Sequence, residues 1–167
     1  MKMFKSHLLL LIALTCSWSV SAQRNYQTAL GARIGGTSGF TIKHFYKPSS
    51  AVEGIVGFFG NGFSLTGLVE KHQKAFDVKE LSFYYGAGAH LAIYNNRNRY
   101  YDRLWRDVNY DYQTDVGIGI NGLLGLEYTF TEIPLAISLD LKPFIEIGSG
   151  GYVGFSPDPS FGVKFTF

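Results

Sequence analysis

Between residues 116 and 147 the chain alternates apolar and polar positions with a period of two, broken once at Thr131-Glu132-Ile133-Pro134. Before the break, the even positions read Val116, Ile118, Ile120, Gly122, Leu124, Leu126, Tyr128 and Phe130. Beyond it, the odd positions read Leu135, Ile137, Leu139, Leu141, Pro143, Ile145 and Ile147. Successive side chains of a strand point to opposite sides, so this alternation predicts two strands with unlike faces. The apolar face carries no charge, whereas the other holds Glu127, Asp140, Lys142 and Glu146. A Lys facing lipid at the midplane of a membrane barrel costs about 2–4 kcal/mol, and Asp or Glu somewhat less. The cheaper arrangement turns the apolar face outward and encloses the charges. Because the outward set is even in one strand and odd in the other, facing residues must have numbers of odd sum. A two- or four-residue turn around Glu132-Ile133 meets that condition, and Pro134 falls at a strand start, where its missing N–H is tolerated.

The same period runs outward from this hairpin. Residues 26–35 set Tyr26, Thr28, Leu30, Ala32 and Ile34 against Gln27, Ala29, Gly31 and Arg33, and residues 40–46, 52–60 and 63–71 alternate likewise. In residues 81–94 the outward set is Leu81, Phe83, Tyr85, Ala87, Ala89, Leu91 and Ile93. Phe161, Val163, Phe165 and Phe167 alternate with Gly162, Lys164 and Thr166. Turn chemistry separates these segments at Gly36-Thr37-Ser38-Gly39, Lys47-Pro48-Ser49-Ser50 and Asn61-Gly62. Residues 72–80, 95–115 and 148–158 are expected to be polar or Gly/Ser/Pro connections. Eight strands result. The fold expected is all-β: a closed, antiparallel, eight-stranded up-and-down transmembrane β-barrel, whose closure removes free edges. An even strand number puts both termini on one side, expected to be the periplasm, together with connections 47–50, 72–80 and 131–134.

The first 22 residues have the features of a cleaved signal peptide: Lys2 and Lys5, an apolar core at residues 8–14, and Val20-Ser21-Ala22 before the cleavage point. That core is too short to span a bilayer. Removing 22 residues from 167 leaves 145, one domain at residues 23–167, enough for eight strands of roughly 9–11 residues plus loops. The single cysteine, Cys16, lies in the leader, so the mature chain is expected to have no disulfide and no cysteine nucleophile. Export without disulfides points to a bacterial envelope. Charged residues make up 17% and aromatics 16%, poor in charge for a soluble domain. The formal net charge of +2 includes the two leader lysines, and nothing in it suggests a nucleic-acid partner.

The closing segment Phe161-Gly162-Val163-Lys164-Phe165-Thr166-Phe167, aromatic at alternate positions and ending in Phe, resembles the C-terminal strand of bacterial outer-membrane barrels. The chain from residue 23 on is similar to small eight-stranded proteins of the OmpX and OmpA-barrel type. Its Gly86-Ala87-Gly88-Ala89-His90 strand and Glu127-Tyr128-Thr129-Phe130 segment look most like Bacteroidota members. That resemblance implies an outer-membrane location among phospholipid and lipopolysaccharide, and Phe165 and Phe167 as a signal to the barrel-assembly machinery. It transfers no catalytic residue.

Candidate chemistry falls in two places. The inward set Arg33, Lys43, Glu53, Glu70, Glu127, Asp140, Lys142, Glu146 and Lys164 reads as an ion path or as a plug. An eight-stranded barrel is just wide enough for its side chains to fill, which favours the plug. The other place is the segment 95–115, with Arg97, Arg99, Tyr100, Tyr101, Arg103, Trp105 and Arg106. Arg with Tyr and Trp is the composition of recognition surfaces, and bidentate Arg suits lipopolysaccharide phosphates or an unidentified extracellular partner. The competing reading is a strand extension with an interfacial aromatic girdle.

Some barrels of this size modify outer-leaflet lipid, which requires Ser and His together near that leaflet. His44 and His72 are placed at the periplasmic ends, and His90 points inward as a hydrogen-bonded interior histidine. Asp107-Val108-Asn109-Tyr110-Asp111 resembles the start of a calcium loop, but Tyr112 and Ile118 stand where Gly and Glu are required. No metal or cofactor is expected. The function expected is a non-enzymatic outer-membrane barrel, structural or recognising partners through residues 95–115; the alternatives are a lipid A-modifying enzyme and a narrow pore.

Overall fold

The structure is a computed structural model, and it describes residues 26–60, 62–94, 115–149, 151 and 153–167. The expected leader and nearly all of the Arg- and Tyr-rich segment lie outside these residues. Ten strand segments follow in chain order: β1 (Thr28–Gly35), β2 (Ser38–Lys47), β3 (Ser50–Phe59), β4 (Gly62–Ala75), β5 (Val78–Tyr94), β6 (Asp115–Thr129), β7 (Leu135–Leu141), β8 (Phe144–Gly148), β9 (Val153–Ser156) and β10 (Pro159–Thr166). Each of β1 to β6 pairs antiparallel with the next. β6 pairs with both β7 and β8, which pair in turn with β10 and β9, and β10 returns to β1. The ten segments form eight ribbons of a closed antiparallel barrel.

Closure follows from the pleat. Because the outward positions through the middle of the wall are apolar and the charges there fall on the inward phase, each strand can pair on both sides without turning a charge the wrong way. Ile34 and Ile120 are 70% and 67% exposed on the outer wall, while Lys43 and Glu127 inside are 0% exposed. In the central hairpin Leu124 pairs with Leu141 and Ile118 with Ile147, pairs of odd sum. Its turn occupies residues 131–134, bracketed by Phe130 N donating to Leu135 O at 2.9 Å. The barrel is sealed where Gln27 N and Thr28 N donate to Phe167 O at 3.2 and 2.8 Å, which fixes one end as the terminal end.

Four local expectations are corrected. Residues 72–80 are not a connection: β4 runs to Ala75, β5 begins at Val78, and only Phe76-Asp77 turns. The period persists there in polar residues, so His72 is buried inside the barrel and Lys71 exposed outside. Residues 148–158 are not one loop, because β9 carries Val153 and Phe155 outward and Gly154 and Ser156 inward. Tyr26 is not on the outer face. It precedes β1 and folds into the interior, with its ring edge-on to Phe45 at 5.4 Å.

The fourth correction concerns the expected continuous strand 135–147, which is interrupted at Lys142-Pro143. Leu141 pairs with Pro159 and Phe144 with Ser156, so the register passes through unchanged and sets Pro143 opposite Pro157. Neither proline can donate to the ladder, and both ribbons break at the same level. At the neighbouring level Lys142 N donates to Asp158 O at 3.1 Å, and Lys142 Nζ lies 2.7 Å from Asp158 Oδ2. Asp158 adopts a left-handed φ of 39°, which Asp tolerates better than most residues. Its Oδ1 accepts Thr37 N at 2.6 Å and so ties the break to the β1–β2 turn. Removing Asp158 leaves a buried ammonium without its nearest counter-ion and a buried amide without its acceptor. Asp158→Ala is therefore expected to lower stability by about 3 kcal/mol. Urea unfolding of the refolded barrel checks this, and an unchanged midpoint would refute the tie.

Candidate functional site

Inward positions of neighbouring strands meet across the lumen, and there the charges assemble. All nine residues of the expected interior set are inside the barrel, in three groups stacked from the terminal end to the far end.

The first group centres on Lys43 of β2. Its Nζ lies 2.8 Å from Glu70 Oε2, 3.1 Å from Glu127 Oε2 and 3.5 Å from Glu53 Oε2. Lys164 of β10 approaches from the other side, 3.4 Å from Glu53 Oε1 and 3.7 Å from Glu127 Oε2. Tyr26 Oη donates to Glu127 at 2.6 Å, and Thr41 Oγ1 donates to Glu53. His72 Nε2 is 2.7 Å from Glu70 Oε2. Burying an ion costs several kcal/mol, and that cost is offset only where opposite charge and hydrogen bonds surround it. Three carboxylates from β3, β4 and β6 around two ammonium groups provide that offset here.

Tyr84 of β5 joins this group to the next. Its ring stacks on His72 at 4.9 Å and 17° and lies 4.4 Å from Lys43 Nζ. Its hydroxyl reaches the other way, donating to Asp140 Oδ2 at 3.0 Å. Asp140 also accepts Ser160 Oγ at 2.7 Å and Arg33 Nη2 at 3.2 Å, and Arg33 donates to Ser160 Oγ at 2.7 Å. With Lys142 and Asp158 this second group contains two cations and two carboxylates. The third is built on Glu146 of β8, which accepts Tyr94 Oη at 2.6 and 2.8 Å. His90 sits between Glu146 Oε2 and Asn121 Oδ1, each at 2.8 Å, with Phe144 against its ring.

The glycines of β6 make room for these groups. A Cβ on Gly117 would stand 2.4 Å from Glu146 Cδ, one on Gly119 2.3 Å from His90 Cε1, and one on Gly125 2.5 Å from Tyr84 Cζ. Each inward glycine is the socket of a large polar side chain from the next ribbon. Chemically the arrangement resembles a cross-linked polar plug more than a reaction centre. The ring nitrogens of His90 are engaged by Asn121 and Glu146, and among the described residues no group of three or more His, Cys, Asp or Glu could hold a metal ion.

Tyr26, His72, Tyr84, Tyr94, Asn121, Asp158 and Ser160 complete the network and do not stand out in the sequence as site residues. Tyr84 and Tyr94 had the right phase to be found. Tyr26 alternates with the outward set in the sequence, and His72 and Asp158 fall in the expected connections 72–80 and 148–158. The loop residues Arg97, Arg99, Tyr100, Tyr101, Arg103, Trp105 and Arg106 lie outside the described residues. Phe165 and Phe167 face outward at the terminal end, 51% and 64% exposed.

No protein-family model matches the chain, and no curated protein matches it. Among solved structures it is similar to the crystal structure of the N-terminal β-barrel domain of Pseudomonas aeruginosa OprF. The TM-score is 0.56 at 19% identity, and the match covers 87% of this chain and 98% of that one. At that identity the likeness speaks for the fold.

The socket role has a direct consequence. Gly119→Ala should cost about 1–3 kcal/mol by overpacking against His90. Gly67→Ala, whose added Cβ meets nothing within 4 Å, should stay within about 0.5 kcal/mol of the parent. Parallel denaturant titrations compare the two, and equal stabilities would remove the glycine argument.

Proposed function

We propose that the chain is an integral barrel of a bacterial outer membrane, with the terminal end in the periplasm and the lumen closed by ion pairs. The observation that carries this reading is the distribution of polarity. Through the middle of the wall the outward positions of all eight ribbons are apolar, with His44, Lys47 and Lys71 only toward the terminal end, and the ionised groups of the lumen are enclosed. In water that outer wall would be an apolar surface far larger than the few hundred Å² a soluble monomer usually exposes. In a bilayer it matches the solvent, and the closed ladder satisfies the backbone where no water can. The polarity of the wall also argues against a soluble carrier barrel, which needs the opposite distribution.

The role is non-enzymatic, either structural or a platform for surface recognition. The buried, mutually bonded charges support a plug over a pore. The hydrogen-bonded setting of His90 supports a structural histidine over a catalytic one. Recognition of lipopolysaccharide or an extracellular partner rests on the Arg/Tyr/Trp composition of residues 95–115, and assembly through the barrel-assembly machinery rests on Phe165 and Phe167. Two experiments test this. Reconstituted into liposomes, the protein should leave small-ion permeability at the detergent blank, and conductance above it would overturn the plug. Excising residues 97–112 should abolish binding to lipopolysaccharide or to an intact outer surface while leaving the barrel folded, and retained binding would overturn the recognition role.

A further inference from the structure

The outer wall is apolar but not uniform at its terminal end. On the β2–β5 side an outward row near that end holds Tyr46 and Lys47 of β2, Lys71 of β4 and Tyr85 of β5; beyond it only the β4–β5 hairpin continues, with Gln73 opposite Phe83. Ser50 is the register partner of both Lys47 and Lys71, and Lys71 pairs with Tyr85 on its other side. Two strand spacings therefore separate the lysines, roughly 10 Å. Lys47 Nζ lies 5.9 Å from the Tyr46 ring centroid, and Tyr46 and Tyr85 are 50% and 42% exposed. The adjoining row, further into the apolar wall, is His44, Val52, Val69 and Ala87, in mutual register.

Among the described residues no carboxylate faces outward on β2–β5. Asp77 and Glu80 belong to the β4–β5 hairpin tip, with Lys74 and Lys79. Among the described residues, the opposite side of this end, built by β6, β7, β10 and β1, presents Tyr128, Phe130, Leu135, Phe165 and Phe167 without a cation. The two sides share an aromatic rim and differ in the lysines.

We propose that this sector is a binding site for anionic phospholipid, with the phosphate held between Lys47 and Lys71 and the acyl chains laid along Val52 and Val69. The inference rests on the membrane reading above and adds to it a preferred lipid and a place. An ammonium group at the edge of an apolar wall has its stem in hydrocarbon and its head among phosphates, and a phenol beside it supplies a donor to the same headgroup. A zwitterionic lipid offers the phosphate but brings its own cation to a site that already holds two. A lipid with net negative charge does not, and each lysine near a charged membrane surface favours it.

The experiment uses the protein extracted from membranes and reconstituted in phosphatidylcholine, with spin-labelled phosphatidylglycerol or spin-labelled phosphatidylcholine as probe. The fraction of probe immobilised at the protein wall is read by electron paramagnetic resonance. The parent should prefer phosphatidylglycerol several-fold, and the preference should shrink as salt is raised. The Lys47→Gln/Lys71→Gln double variant should bring the two lipids to parity, while Lys47→Arg/Lys71→Arg keeps the preference; the heat-induced gel shift reports that each barrel is folded. Equal association of both lipids with the parent, or an unchanged preference in the Gln variant, would overturn the site. Failure to incorporate into the bilayer would instead overturn the membrane reading together with it. Incorporation without selectivity would overturn the lipid site alone.

Discussion

A backbone amide or carbonyl with no partner costs several kcal/mol where water is absent. Every other feature of this barrel answers to that constraint. An open sheet would leave two edges of unpaired groups; here β1 meets β10 and β5 meets β6, and the ladder closes. Closure in turn divides the side chains into two populations, because a pleated strand turns one residue over alone only at a bulge, and the register shifts lie at the terminal ends of β2 and β4. The proline pair at Pro143 and Pro157 is the one place among the described residues where two neighbouring ribbons break together. The structure compensates there with Lys142, Asp158 and Thr37.

What the closed wall encloses must also balance. Eight strands leave an interior that side chains can fill, and here apolar residues such as Ile55, Leu68 and Leu123 share it with the ionised groups. An isolated ion at these positions would be untenable, so charges from distant strands converge. Tyr84 extends this convergence along the axis, stacking on His72 at one end and donating to Asp140 at the other. The inward glycines of β6 are part of the same balance, since the volume they give up is occupied by Glu146, His90 and Tyr84.

The facing of each strand was legible in the sequence because period two is a local property: Glu53, Glu70, Glu127 and Lys164 can be assigned inward from their immediate neighbours. Two kinds of information were not local. Where strands stop depends on pairing as well as composition. His72-Gln73-Lys74 looks like a loop but continues β4, and Pro157-Asp158-Pro159 looks like a turn but lies within a ribbon. Which inward groups meet depends on closure: Tyr26 reaches Glu127 across 101 positions of sequence, and no pattern within either strand encodes that bond. The interior was thus readable as a set of residues and not as a network.

The central claim is that the even face of β6 meets hydrocarbon while its odd face meets protein. It is tested most directly by placing a spin label at each position from 116 to 128 in turn in lipid-reconstituted protein. Collision rates with oxygen, which concentrates in the bilayer, and with a water-soluble nickel chelate are then measured. The expected result is a period of two: oxygen contact at Val116, Ile118, Ile120, Leu124, Leu126 and Tyr128, and little contact with either reagent at Asn121, Leu123 and Glu127. Nickel access along the even face, or an alternation of opposite phase, would contradict it.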